Sequence, residues 1–294
     1  MCRRWRVWAL SIVVALVPTA LVRADVSVHG RNENSLFVDI TGTITNQDPK
    51  AFESAIEDLE HRRLYARLDS VGGDVFAAMH IGRLIRKHDG ITIISVPSKC
   101  YSSCALLFIS GVTRHNLGEL GLHRPYQVTV LKSRQTMETQ LPRMLALLRE
   151  YVAEMGVAGN FYDQMVNTEH TKTVIYRIDN YANLVPEIDP AFQESQVAYG
   201  ARRYGGMTTA RMRQREQDAE ACLKRAAKEI VVCQEAIRWG LSEPEYRERS
   251  AKAVACDLRY DDRRIVQALP PGQRRDHPFV RKYEACQQKI MLGR

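Results

Sequence analysis

Residues 64–111 read LYARLDSVGGDVFAAMHIGRLIRKHDGITIISVPSKCYSSCALLFISG, and this stretch decides the fold class. LYARLDS (64–70) alternates apolar and polar side chains, the period of a half-buried strand. A double glycine, Gly72–Gly73, then lets the chain turn sharply into DVFAAMHIGRLIRK (74–87). There Val75, Met79, Gly82 and Ile85 line one helix face, with Phe76 and Leu84 beside it. ITIISV (91–96) is β-branched and short, as a buried strand is, and a second helix starts near Ser102. Working outward, SLFVDITGTI (35–44) predicts another strand, AFESAIEDLE (51–60) a helix, and about 137–168 further helix. Strands that alternate with helices over 28–206 give an α/β core.

Before this core lies MCRRWR and the 16-residue apolar run 7–22, ending near Val22 and Ala24. A basic start, a short apolar stretch and small residues at its end compose an export signal over residues 1–24, cut before Asp25. An uncleaved anchor is the alternative, although the run contains Pro18 and is short for a bilayer crossing. The expected location is therefore the periplasm or the exterior.

Beyond residue 206 the texture changes. YGARRYGG (199–206) reads as a linker, and strand patterns cease. Residues 212–239 predict one long charged helix, and VRKYEACQQKIM (280–291) a final one after a Pro-rich break. The expected domains are a core over 25–206 and a helical region over 207–294.

Export removes Cys2 and leaves Cys100, Cys104, Cys222, Cys233, Cys256 and Cys286, an even set suited to disulfides. On one unbroken helix Cys222 and Cys233 stand roughly 16 Å apart. They cannot bond to each other there, so each is expected to pair with Cys256 or Cys286. Free buried thiols and zinc are the competing readings; no Cys-x-x-Cys spacing supports a metal, and no cofactor is implied. Cys100 and Cys104, one helical turn apart, are about 6 Å apart at their α-carbons, in disulfide range. Two packed thiols, or a cysteine nucleophile, are the alternatives.

Three short motifs carry chemistry. LDSVGGDV (68–75) is a strand, a double glycine and a helix start, which aims backbone N–H groups outward. Without a ligand it is simply a tight turn. KCYSSCALLFISG (99–111) puts a serine pair at the start of an apolar helix, suited to a nucleophile or to an N-cap. LGLHRPY (120–126) ends an apolar strand in His123, suited to accept a serine proton or to serve as a hydrogen-bonded strand end.

Taken together, the motifs resemble the ClpP/crotonase superfamily, in particular the Clp protease proteolytic subunit and signal peptide peptidase A, over roughly residues 35–190. The resemblance implies repeated β-β-α units and an exported serine peptidase, with the C-terminal helical region as an addition. It implies Ser102 as nucleophile, His123 as base and the N–H groups of Gly73 and Ser103 as oxyanion hole. In the third-member region, residues 168–184, an ungapped match puts Thr171 where the family has its aspartate, with Glu169 and His170 adjacent. A small shift gives Glu169 the orienting role; otherwise a Ser–His pair works alone. The family also implies a homo-oligomer acting on peptide or protein. A catalytically silent binding protein of the cell envelope is the other function class.

The formal charge of +8 invites a nucleic-acid reading. Four of those charges, Arg3, Arg4, Arg6 and Arg23, lie in the export signal, which takes the remainder to +4. Residues 207–294 hold 19 basic and 13 acidic side chains, so the core carries −2. Without a recognised nucleic-acid module, the basic excess describes a tail surface suited to an anionic envelope component.

Overall fold

The computed structural model describes residues 24–60, 62–126, 134–256, 265–266, 269 and 271–293. All but Ala24 of the expected export signal lies outside the described residues. Among those residues no helix is long and apolar enough to cross a membrane.

Strands β1 (Asp25–Arg31) and β2 (Ser35–Ile44) precede helix α1 (Asp48–Ala55) and strand β3 (Arg63–Gly73). Leu36, Val38 and Ile40 on β2 and Leu64, Ala66 and Leu68 on β3 turn inward with the expected period of two. Helix α2 (Val75–Lys87) starts at Asp74, whose carboxylate accepts the Ala77 N–H (2.9 Å). Strands β4 (Ile91–Ile94) and β5 (Lys99–Tyr101), helix α3 (Cys104–Ser110) and strands β6 (Thr113–Asn116) and β7 (Glu119–Leu122) follow. Then come α4 (Arg134–Glu154), α5 (Gly159–Asn167) and a short strand, β8 (Val174–Tyr176).

The eight strands form one mostly parallel sheet that forks at β3. Tyr65–Ala66–Arg67 of β3 pair with Ile91–Thr92–Ile93 of β4, which pairs in turn with β6. Further along, Ser70 of β3 pairs with Cys100 of β5, which leads to β7 and β8. Among the described strands the β1–β2 and β7–β8 pairs are antiparallel, and Thr113 of β6 makes an isolated antiparallel bridge to Ile188. Every residue of α3 is buried, which explains why its sequence shows no polar face.

A charged cluster lies beneath that helix. Arg114 on β6 is 0% exposed and donates to the carbonyl oxygens of Ile109 (3.0 Å), Pro186 (2.9 Å) and Met155 (2.9 Å). Arg86 on α2 donates to Met155 as well (2.6 Å). Asp189 answers both cations, 3.2 Å from Arg86 and 3.6 Å from Arg114. It also caps α6 (Pro190–Arg203) through the Phe192 N–H. Burial pushes the Arg114 guanidinium down to about 10, and the neighbouring Arg86 charge adds to the effect.

The C-terminal region is helical: α6, α7 (Thr209–Glu220), α8 (Ala227–Trp239), α9 (Glu243–Ala253) and a last helix, Pro278–Met291. Its core contains Ala201, Tyr204, Met212, Trp239, Ala253 and Met291. The stretch expected to be a linker is mostly the end of α6; only Tyr204, Gly205 and Gly206 leave the helix, both glycines at positive φ. The single helix expected over 212–239 is broken. A 3-10 turn, Ala221–Lys224, and extended backbone at Arg225 and Ala226 fold α8 back against α7.

That break overturns the expected cysteine pairing. Cys222 bonds to Cys233 with α-carbons 5.9 Å apart, because the chain reverses between them, and Cys256 bonds to Cys286. Cys100–Cys104 is the third disulfide. The six described cysteines are all paired, so none of them is left as a thiolate for zinc, and three disulfides are consistent with an oxidising extracytoplasmic location.

Candidate functional site

The three motifs lie far apart in sequence, and the sheet gathers them. Strands β3, β5 and β7 are parallel neighbours, so their carboxyl ends open on one edge. Those ends carry Gly72–Gly73, Ser102–Ser103 and His123. Crevices at such strand ends are where open α/β sheets bind ligands.

The glycine loop is shaped by Ser70, a residue the sequence reading had not singled out. Its hydroxyl donates to the Gly42 carbonyl (2.5 Å) and accepts the Gly72 N–H (3.1 Å). Gly72 has φ +94, and a Cβ there would lie 2.7 Å from both Ser102 Cβ and the Tyr101 carbonyl oxygen. Gly73 has φ +147, and a Cβ there would meet the Ile44 carbonyl oxygen at 2.1 Å. Both positions therefore demand glycine, one for its approach to the serine turn and the other for its approach to β2.

Ser102 sits between the end of β5 and the first turn of α3 with φ +56, in the left-handed region that non-glycine residues seldom enter. Its N–H donates to the Gly121 carbonyl (2.9 Å), which ties it to β7 two residues before His123. Its own carbonyl accepts the Ala105 N–H (3.0 Å). Cys100 and Cys104 close a disulfide around it, α-carbons 5.1 Å apart. Ser102 is half-buried, whereas Ser103 is 1% exposed.

His123 is 8% exposed, and its Nδ1 lies 3.1 Å from the Arg124 carbonyl oxygen. A carbonyl only accepts, so this contact assigns the proton to Nδ1 and leaves the lone pair on Nε2. Ser102 and His123 share the edge without a direct hydrogen bond between them. The imidazole ring faces Tyr126, which in turn faces His170, with ring centroids 5.9 Å and 4.9 Å apart.

Glu169 does not reach His123. Its carboxylate pairs with Lys172 (3.0 Å), and its side chain is 61% exposed. The backbone beside it does meet the residue that follows His123: the Arg124 N–H donates to the Thr168 carbonyl (2.8 Å). The Glu169 carboxylate points toward Lys172.

On β5 and β7 a polar chain continues along the sheet. The Tyr101 hydroxyl donates to Glu119, which also pairs with Arg177. Burial, and then the hydrogen bond to Glu119, push the Tyr101 hydroxyl up to about 12. Hydrogen bonds from Tyr101 and Arg177 hold the Glu119 carboxyl below its usual range. Ser70 lies inside LDSVGGDV with nothing to set it apart from the rest of the strand, and Glu119 only borders a motif.

Among the described residues no group of three or more His, Cys, Asp or Glu side chains is placed to hold a metal ion. Compared with protein-family models and with curated proteins, the chain matches none, so its residues and geometry carry the functional reading.

Proposed function

We propose that the chain is an exported serine hydrolase of the ClpP-like type that cleaves peptide bonds. The observation that carries this reading is the positive-φ Ser102, flanked at parallel strand ends by the glycine loop and His123. The forked sheet supports a ClpP/crotonase-like architecture, because β4–β5 and β6–β7 each send one strand to either branch.

In this mechanism His123 Nε2 takes the Ser102 proton as Oγ bonds to the peptide carbonyl carbon. The N–H groups of Gly73 and Ser103 hold the oxyanion. Gly72 is not the loop's donor, since its N–H is committed to Ser70. The imidazolium passes its proton to the leaving amine as the C–N bond breaks. Water then hydrolyses the ester, giving up a proton to His123 and restoring Ser102. The Arg124 carbonyl serves as the acceptor that orients the imidazole, a weaker device than a carboxylate. Val71, Phe76 and Tyr126 are exposed near the site and favour apolar segments of substrate.

The test is labelling by a fluorophosphonate, in which Oγ displaces fluoride from phosphorus. The wild type should label and Ser102→Ala should not. Equal labelling of the two would remove Ser102 from the mechanism. A catalytically silent binding protein is the second reading, favoured by the outward-facing Glu169. It predicts a folded wild type that never labels.

A further inference from the structure

The nucleophile turn holds a strained residue inside a covalent ring. Ser102 has φ +56, a conformation that an L-residue with a Cβ keeps only where its surroundings over-determine it. Three restraints meet there. Its N–H is held by Gly121, its carbonyl by Ala105, and Cys100 and Cys104 are bonded across it.

The third restraint differs in kind from the other two disulfides. It closes a loop of sequence separation 4, against 11 and 30 for the others, so it removes the least freedom from the unfolded chain. Both cysteines are 0% exposed and belong to the main core, which α3 and β5 already secure by burial. Global stability is therefore a poor account of this bond. What it does is fix the distance between the end of β5 and the start of α3, the interval in which Ser102 must turn.

Resting on the hydrolase reading above, we propose that the Cys100–Cys104 disulfide is a constitutive positioning clamp that keeps Ser102 in its left-handed conformation and its Oγ in reach of substrate and base. The clamp is not a redox switch: with both cysteines fully buried, a reductant has no access to the bond in the folded protein. Cys100 and Cys104 are positioning residues; they act through Ser102 and touch no reacting atom.

The experiment uses Cys100→Ala/Cys104→Ala, which leaves no unsatisfied hydroxyl in the core. Cys256→Ala/Cys286→Ala serves as the stability control. For each, the saturating rate of fluorophosphonate labelling and the half-saturating probe concentration are measured separately, alongside urea unfolding. A crystal structure of the clamp variant gives φ at Ser102.

Without the clamp, the saturating rate should fall about ten-fold, about 1.4 kcal/mol, with half-saturation within two-fold of wild type. The control variant should show the reverse, weaker stability with wild-type labelling. Ser102 should leave the positive-φ region in the clamp variant. A folded clamp variant that labels within two-fold of wild type, or keeps φ near +56, overturns the proposal. Where alanine leaves the protein unfolded, Cys100→Val/Cys104→Ala fills the core and is judged by the same readouts. Wild type that folds without labelling ends the hydrolase reading instead, and φ at Ser102 in the variant still decides the clamp.

Discussion

Replacing Cys256 and Cys286 with alanine should loosen the helical region while sparing the sheet. The bond closes a loop of sequence separation 30. Loop-closure entropy puts its contribution at about 3.6 kcal/mol, against about 2.8 for Cys222–Cys233 and about 1.9 for Cys100–Cys104. The core it supports is small: Ala201, Tyr204, Met212, Trp239, Ala253 and Met291 are its buried residues. A loss of this size is a large share of the roughly 5–15 kcal/mol that stabilises a typical domain. Trp239 supplies a local reporter, because it is the sole tryptophan after residue 8, is 5% exposed and stacks edge-on against Tyr204 at 5.0 Å. In urea, with an m-value of about 1–1.5 kcal/mol/M, the Trp239 transition should move down by roughly 2.4–3.6 M. The β2 and β3 amides, followed by hydrogen exchange in urea, should keep their wild-type midpoint. A Trp239 midpoint within about 0.5 M of wild type, or a shift shared equally by both signals, would refute the reasoning.

Asp189→Ala should be far more damaging to the main core, because it strands Arg114 and Arg86 without their countercharge; removing one partner of a buried pair costs about 3–5 kcal/mol. Urea unfolding that shows a loss under about 1 kcal/mol would sink this account. On the proposed mechanism, Gly72→Ala should abolish fluorophosphonate labelling, since the new methyl would stand 2.7 Å from Ser102 Cβ; wild-type labelling rates in that variant would mean that the loop does not abut Ser102. Glu119 has a folded-state pKa below its unfolded one, so its contribution is present above the unfolded value and is lost as pH falls through the folded value. Thermal unfolding from pH 6 down to 3 should therefore fall less steeply for Glu119→Gln than for wild type, and parallel curves would remove Glu119 from the acid response.

Strands β2, β3, β4 and β7 and the three motifs were legible because their signals are local, whereas β1, β5, β6 and β8 were not anticipated. Period-two alternation marks β2 and β3, and Gly72–Gly73 and His123 each stand at the end of an anticipated strand, while Ser102 follows β5, three residues long and too short to show a pattern. The break at Arg225–Ala226 was not legible. Ala, Lys, Arg and Glu around it are good helix formers with no Gly or Pro among them, and the reversal is secured by the Cys222–Cys233 bond. The Arg114–Asp189 pair was hidden for another reason: its partners are 75 positions apart, and a lone arginine in a strand reads as a surface residue. The direction of the Glu169 side chain was not legible, because which way a side chain faces on a short loop depends on its neighbours, here Lys172.

Helix α3 leaves no face to solvent, and Leu106, Leu107, Phe108 and Ile109 are all 0% exposed. A helix sheathed on every side cannot fray on its own, so its amides should exchange with deuterium only when the whole sheet core opens. The turn bearing Ser102 is thus moored to the slowest-breathing part of the molecule. Heat inactivation should follow global unfolding of the core step for step, with no earlier stage in which the fold persists and the site has melted.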